Sequence, residues 1–266
     1  IDPAENLATI ANLQGIETIN DFFSLKLAKK IRSEKGAAQV ITATNVVAHI
    51  ADLVDFFRGV KFLLADDGVF IAEFPYLLDL IEKTEFDTIY QEHLSYFSVK
   101  PLLQLLDRFS LSIARIQRID IHGGSLRVTI RRGNSDVEES SVMKLLKEEK
   151  RKKLHEPETY NKFTQRVKTK KQKLKSILAR LKRNGKRIVG YGASARGNIL
   201  LHHFGINGRM LDYIVDSTPY KQGLFTPGHH IPIFPEHKLM EDQPDYVLLL
   251  AWNFEDEILR KNKGYR

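Results

Sequence analysis

The chain has 266 residues, of which 42% are hydrophobic, enough for one large or two modest domains and too apolar for a wholly disordered chain. It has no cysteine, which excludes a disulfide scaffold, a Cys-ligated zinc site and a thiol nucleophile, and fits a reducing, cytoplasmic setting. The formal charge of +8 suggests nucleic acid, but Lys144 to Arg187 alone holds eighteen Lys or Arg against four Glu, a net of +14, so the rest sums to −6.

No stretch approaches the roughly 18–20 apolar residues of a membrane span, and IDPAENLATI is no secretory leader, so no membrane association is expected. Residues 3–13 read as a helix, followed by the turn at Gly15. Asp2 stands just ahead of it. In a nucleotide-type α/β sheet, an acidic residue at the carboxyl end of the second strand accepts hydrogen bonds from ribose hydroxyls. Asp2 is placed for that, with the first strand and its glycine turn lying upstream. The alternative is the N-cap of the 3–13 helix, with Pro3 at its first position.

A helix near 24–35 ends at Gly36. AAQVITATN at 37–45 has the pattern of a buried strand, a helix is expected at 49–58, and GVFIAEF at 68–74 reads as the next strand. Asn45 ends one strand and His49 opens the following helix, both at an edge where α/β sheets hold ligands. The segment EFPYLLDLIEKTEFDTIYQEHLSYFS reads as a strand exit and loop. It crowds Glu73, Tyr76, Tyr90, Glu92, His93 and Tyr96 together. Tyr90-x-Glu92-His93 offers a phenol, a carboxylate and an imidazole. An imidazole titrates near neutral pH and serves as a general base, and a carboxylate fixes its tautomer.

A helix near 99–108 precedes two strands, 111–119 and 125–132. His122-Gly123-Gly124-Ser125 sits between them, where the glycines mark a close backbone approach or a bulge. Helices are expected at 138–154 and 159–183, with Pro157 between. Tyr160, Phe163, Val167, Leu174, Ile177, Leu178 and Leu181 recur at helical spacing, interrupted at Lys170 and Lys171. The basic charge reads as the solvated face of this connector or as an anion-attracting wall. No nucleic-acid recognition motif accompanies it, and none is expected as a partner.

A second α/β unit then begins. KRIVGYG at 186–192 is a strand entering a glycine turn, 194–204 a helix, 211–216 and 245–253 further strands, and FEDEILRK a short helix. Gly190-Tyr-Gly192-Ala-Ser-Ala195 with Asp216 some twenty residues on has the spacing of a dinucleotide fingerprint, alanine in third place. Ser194, Arg196 and Lys221 supply groups for a phosphate at this helix start. Nicotinamide dinucleotide, another phosphate-bearing ligand and a ligand-free relic of the fold are all open readings.

Together TATNVVAHI, DDGVFIAEFPYLLDLI, FDTIYQEHLSYFS, HGGSLRV, GYGASARGN, YIVDSTPYKQGLFTPGHHIPI and LLLAWNFEDEI resemble the C-methyltransferases that act on nucleotide-linked 4-keto-deoxysugars. The blocks span nearly the whole chain. The resemblance implies residues 1–135 as an S-adenosylmethionine-dependent methyltransferase domain, 136–184 as a helical linker and 185–266 as a Rossmann-like nucleotide-sugar-binding domain. The fold it implies is α/β: a partial class I methyltransferase sheet, joined by the basic linker to a second Rossmann-like domain. The family's N-terminal zinc domain and glycine-rich cofactor loop have no counterpart here, no metal is expected, and 266 residues look like the latter two-thirds of a longer protein. By the same resemblance, His93 is the base that forms an enolate beside the ketone, Glu92 orients it or contacts the sugar, and Tyr90 and His49 bond the oxyanion or a sugar hydroxyl. Asp2 and Asn45 fall to S-adenosylmethionine. Tyr76, His122, Ser194, Arg196, Asp216 and Lys221 fall to the nucleotide-diphosphate-sugar. A noncatalytic sugar-binding remnant and a nicotinamide-dependent oxidoreductase are the competing readings.

Overall fold

In the computed structural model, residues 1–133 and 139–265 are described. The expected boundary at 135/136 and the first residue of the 138–154 helix lie outside them. The chain divides into two units, Ile1–Asp79 with Glu92–His155 and Leu80–Gln91 with Glu156–Arg266.

In the first unit, α1 (Glu5–Leu13) and α2 (Leu25–Lys35) precede strand β1 (Ala38–Thr44). The helix expected at 49–58 instead begins four residues later, as α3 (Leu53–Leu63). The cause is local: Val47–His49 forms a 3-10 turn, and the Asp52 carboxylate accepts the Asp55 N–H at 2.9 Å, capping the helix there. Phe56, Phe57, Val60 and Leu63 form the buried stripe of α3, and Phe57 meets Phe70 of β2 (Leu64–Pro75) edge to face. The segment read as loop after that strand contains α4 (Leu77–Lys83), which straddles the two units. A helix α5 (Val99–Asp107), strands β3 (Leu111–Ile119) and β4 (Ser125–Arg132), and helix α6 (Glu139–Arg151) complete the unit.

The sheet order is β1-β2-β4-β3, with β1 and β2 parallel and the other pairs antiparallel. Phe70, Ala72 and Phe74 face the core and pair with Ile130, Val128 and Leu126. On β3, Ile113 and Ile116 are three residues apart, a spacing that puts side chains on opposite faces. A bulge between Ile113 and Arg115 takes up the odd residue, so both isoleucines are buried. Strand β1 lies at the edge of the sheet, and its Val40 is 57% exposed.

In the second unit, α7 (Pro157–Arg183) buries Phe163, Val167 and Leu178 and exposes Lys162, Lys168, Lys170 and Lys173, while Lys171 and Lys182 reach the His203 carbonyl and Asp212. Strands β5 (Ile188–Tyr191), β6 (Ile214–Val215), β7 (Ile233–Phe234) and β8 (Tyr246–Leu249) form an all-parallel sheet in the order β7-β6-β5-β8. That is the 3-2-1-4 order of the first four strands of a dinucleotide-binding fold. Helices α8 (Ala195–Phe204), α9 (His237–Asp242) and α10 (Glu255–Lys261) accompany it. The sequence pattern marks neither β7 nor α9. Both are too short to show a period. Among the described residues, no helix is long and apolar enough to cross a membrane.

Candidate functional site

Because β1 and β2 run parallel, their carboxyl ends share one edge of the first sheet. Asn45 leaves β1 there at φ +54°, with its N–H on the Glu73 carbonyl of β2 at 2.9 Å. A positive φ at a non-glycine residue is uncommon and concentrates where the surroundings dictate it. The turn delivers the 3-10 segment 47–49, and the Ala48 carbonyl accepts N–H groups of both Leu94 (2.9 Å) and Ser95 (3.1 Å). These two hydrogen bonds lay the 92–96 segment against the turn. His49 and His93 therefore meet edge to face, with ring centroids 4.9 Å apart, and His93 lies at right angles to Tyr96 at 6.4 Å.

Burial first, and then the His93 charge, lower the His49 pKa below the ordinary imidazole value; the Glu92 charge and backbone act the other way. His122 joins the same edge because β4 starts opposite the end of β2, with Ser125 across from Pro75. It too has positive φ, +55°. Gly124 is required here: its φ is +132°, and a Cβ would lie 2.4 Å from the Asp79 carboxylate. Its carbonyl accepts the Tyr76 N–H at 3.0 Å.

Other expected residues are occupied differently. Asp2 precedes the N-cap of α1, which is Ala4, and accepts the Ala4 N–H at 2.8 Å. Its backbone is tied to Ile19 and Asn20. Tyr76 is fully buried, and its phenol donates to Glu149 at 3.0 Å. Burial, followed by the Glu149 charge, pushes the Tyr76 pKa far up. Glu149 went unnoticed in the sequence, although it is one of only four acids in the basic segment. It is 1% exposed and also accepts the Val99 N–H at 2.6 Å and the Lys100 N–H at 3.3 Å. It thus caps α5, whose N-cap residue Ser98 makes no side-chain cap of its own.

In the second unit, Ser194 caps α8 by accepting the Gly197 N–H at 3.0 Å. Asp216, at the end of β6, accepts the Ala193 N–H at 2.6 Å and the Thr218 N–H at 2.8 Å. Burial works to raise its pKa; the hydrogen bonds from Thr218 and Ala193 and the Lys221 charge outweigh that and hold it below the ordinary carboxylate value. Lys221 donates to the Ala193 carbonyl at 3.0 Å. The fingerprint glycine Gly192, at φ +92°, has Ala251 where a Cβ would go, 2.6 Å from that methyl. Packing thus explains Gly192 without any ligand, and Asp216 occupies an N–H that a phosphate would use. A cavity of about 300 Å³ opens beside this turn, lined by Tyr191, Ser194, Asp216, Glu236, Phe254 and Lys261. Arg196 turns away from the turn onto Asp87, Nε to Oδ2 and Nη2 to Oδ1 both at 3.1 Å. Tyr90 belongs to the Leu80–Gln91 segment of this unit, whereas Glu92 and His93 belong to the first.

A family model described as a methyltransferase domain matches residues 1–115, and one described as the C-methyltransferase C-terminal domain matches residues 120–266, more than half of the chain. The chain belongs to the C-methyltransferase family. It is 36% identical over 266 residues to the C-methyltransferase NovU of Streptomyces niveus, a match covering 100% of this chain and 63% of that protein. The chain thus spans less than two thirds of that relative's length. A solved O-methyltransferase family protein from Burkholderia thailandensis aligns at 14% identity with a TM-score of 0.31, covering 50% of this chain and 41% of that one. That likeness is too loose to argue from.

Proposed function

We propose that the protein methylates a carbon of a nucleotide-linked 4-keto-deoxysugar, and that His93 is the base. One observation carries this reading: in a chain of the C-methyltransferase family, His49 and His93 stand ring against ring at the carboxyl edge of β1 and β2, with Glu92 beside them. The hydrogens on a carbon next to a ketone are acidic because the carbanion delocalises onto oxygen as an enolate. In this proposal His93 takes that proton on a ring nitrogen. Glu92 orients it or contacts the sugar. Tyr90 and His49 donate hydrogen bonds to the developing oxyanion or to a sugar hydroxyl.

S-adenosylmethionine, when bound, supplies the electrophilic methyl that the sugar carbon takes up. The groups at hand suit its adenosine end. Asp2 offers a carboxylate for ribose hydroxyls, and Asn45 an amide at a strand end held open by its positive φ. On the sugar-nucleotide side, His122, just ahead of β4 at the same sheet edge, and Ser194 and Lys221 near the diphosphate are our choices. Tyr76, Arg196 and Asp216 enter as residues that shape the surroundings, since their polar groups are engaged within their own units.

The test is transfer of labelled methyl from S-adenosylmethionine to a thymidine-diphosphate-linked 4-keto-6-deoxysugar, with product carbon located by NMR. Transfer to carbon that disappears in His93→Asn supports the proposal. Transfer to oxygen, or undiminished transfer by His93→Asn, overturns it.

A further inference from the structure

Residues 80–91 carry Tyr90 and lead into Glu92 and His93, yet after α4 ends at Lys83 their only regular element is the 3-10 turn Phe86–Thr88. Backbone of this kind keeps one conformation only if side chains hold it. Asp87 lies inside that turn and is 1% exposed. Its Oδ2 accepts from Arg196 Nε at 3.1 Å and from Trp252 Nε1 at 2.8 Å, and its Oδ1 accepts from Arg196 Nη2 at 3.1 Å. The Arg196 guanidinium also lies over the Trp252 ring, 4.7 Å from its centroid. Phe86 stacks on Phe204 at 4.9 Å, and Arg166 reaches the Ile81 carbonyl and Thr84. Three separate pieces of the second unit therefore grip the seven residues 81–87.

We infer that Arg196 is a positioning residue, anchoring the Tyr90-bearing segment through Asp87 and Trp252. The inference rests on the function proposed above for Tyr90. It makes sense of a guanidinium that charge and position alone assign to the diphosphate. The Arg196 side chain is only 13% exposed, and two of its N–H edges meet a buried carboxylate. A buried ion pair contributes little net stability compared with a well-packed apolar pair, but it dictates orientation, because the planar fork accepts a carboxylate in one alignment. Lysine cannot replace it: it has no fork and stacks poorly on indole.

The experiment compares Arg196→Met, Asp87→Asn, their double variant, Arg196→Lys and the milder Trp252→Phe in the protein that carries the activity. Trp252 is the single tryptophan, so its emission reports on the cluster directly. We expect each single change at Arg196 or Asp87 to lower kcat about tenfold or more, with KM for the nucleotide-sugar moving less than about threefold. The double variant should lose less than the two single losses combined, since the ion pair is common to both. Arg196→Lys should not restore kcat. Emission should shift in Arg196→Met and Asp87→Asn, and hydrogen exchange should rise over residues 85–91. If the Arg196 and Asp87 variants do not fold, Trp252→Phe must show the same kcat-selective loss, smaller in size. A KM increase confined to the Arg196 variants would instead place Arg196 on the diphosphate. Additive losses, or unchanged emission and exchange, would equally overturn the inference. If the unaltered protein transfers no methyl, the proposed function fails, and emission and exchange alone decide whether the anchor exists.

Discussion

His49 and His93 stand edge to face with their ring centroids 4.9 Å apart, so charge on the His93 ring works against charge on His49. The lowered His49 pKa follows from burial and then from this neighbour. An NMR titration of the unaltered chain should show His49 titrating below the usual value of about 6.5. In His93→Asn it should move part of the way back up, because the burial contribution stays. The sign for stability follows: a histidine with a lowered native pKa contributes stability that is present above its ordinary pKa and is lost as pH falls through the lowered value. A His49 pKa unchanged by His93→Asn would mean that the two rings do not interact in solution.

Gly124→Ala forces a methyl group against the Asp79 carboxylate, which Arg118 holds with two bonds of 2.6 and 2.9 Å. The backbone there also has φ +132°. We expect a loss of about 3 kcal/mol or more by denaturant melting. Gly208→Ala, with open space around it, should stay within about 0.5 kcal/mol of the parent. Equal effects at the two positions would show that the turn at 122–124 relaxes.

Tyr76 and Glu149 separate a structural role from a binding one. Glu149→Ala strips the N-terminus of α5 of its acceptor and the Tyr76 phenol of its partner. A cost of about 3 kcal/mol is expected, read from the shift in thermal midpoint. Tyr76→Phe should cost about 1 kcal/mol, since Glu149 keeps its backbone donors. It should leave KM for a nucleotide-sugar within about twofold. A larger rise in KM would give Tyr76 a direct contact with substrate.

Asp216 ties the glycine turn to the end of β6. Its pKa is lowered in the folded state, so its contribution is present above the ordinary carboxylate value of about 4 and is lost as pH falls through the lowered native value. Asp216→Asn should reduce stability at neutral pH by about 1–2 kcal/mol and flatten the acid limb of the stability curve. Melts at pH 7 and pH 3 would check this, and an acid limb as steep as the parent's would count against it.

Regular periods were readable and long-range pairs were not. Strands 111–119 and 125–132 were bounded correctly, because alternation and flanking turns both mark them. The α/β class followed from the order of the elements. The start of α3 was missed because Val46–His49 continues the apolar run, although Asp52 and Asp55 carried the capping signal. Local spacing put Tyr90, Glu92 and His93 together, and the 4.9 Å approach of His49 depends on backbone bonds from Leu94 and Ser95 to Ala48 that no pattern announces. Glu149 and Asp87 belong to the same class: Tyr76, Val99 and Lys100 lie 49 to 73 residues from Glu149, and Arg196 and Trp252 lie 109 and 165 residues from Asp87. Arg196 was read by its charge, and only the structure shows the carboxylate already in its grip.

Strand β1 has one further consequence. Its sequence AQVITAT carries no charge, no proline and no lysine to discourage a visitor, and among the described residues it pairs on one side only. Such an edge recruits other strands, including those of its own kind. Purified at high concentration without the upstream strand expected from the sequence, the 266-residue stretch should therefore self-associate through this strand. Val40→Lys, at a side chain that already faces water, should abolish that association.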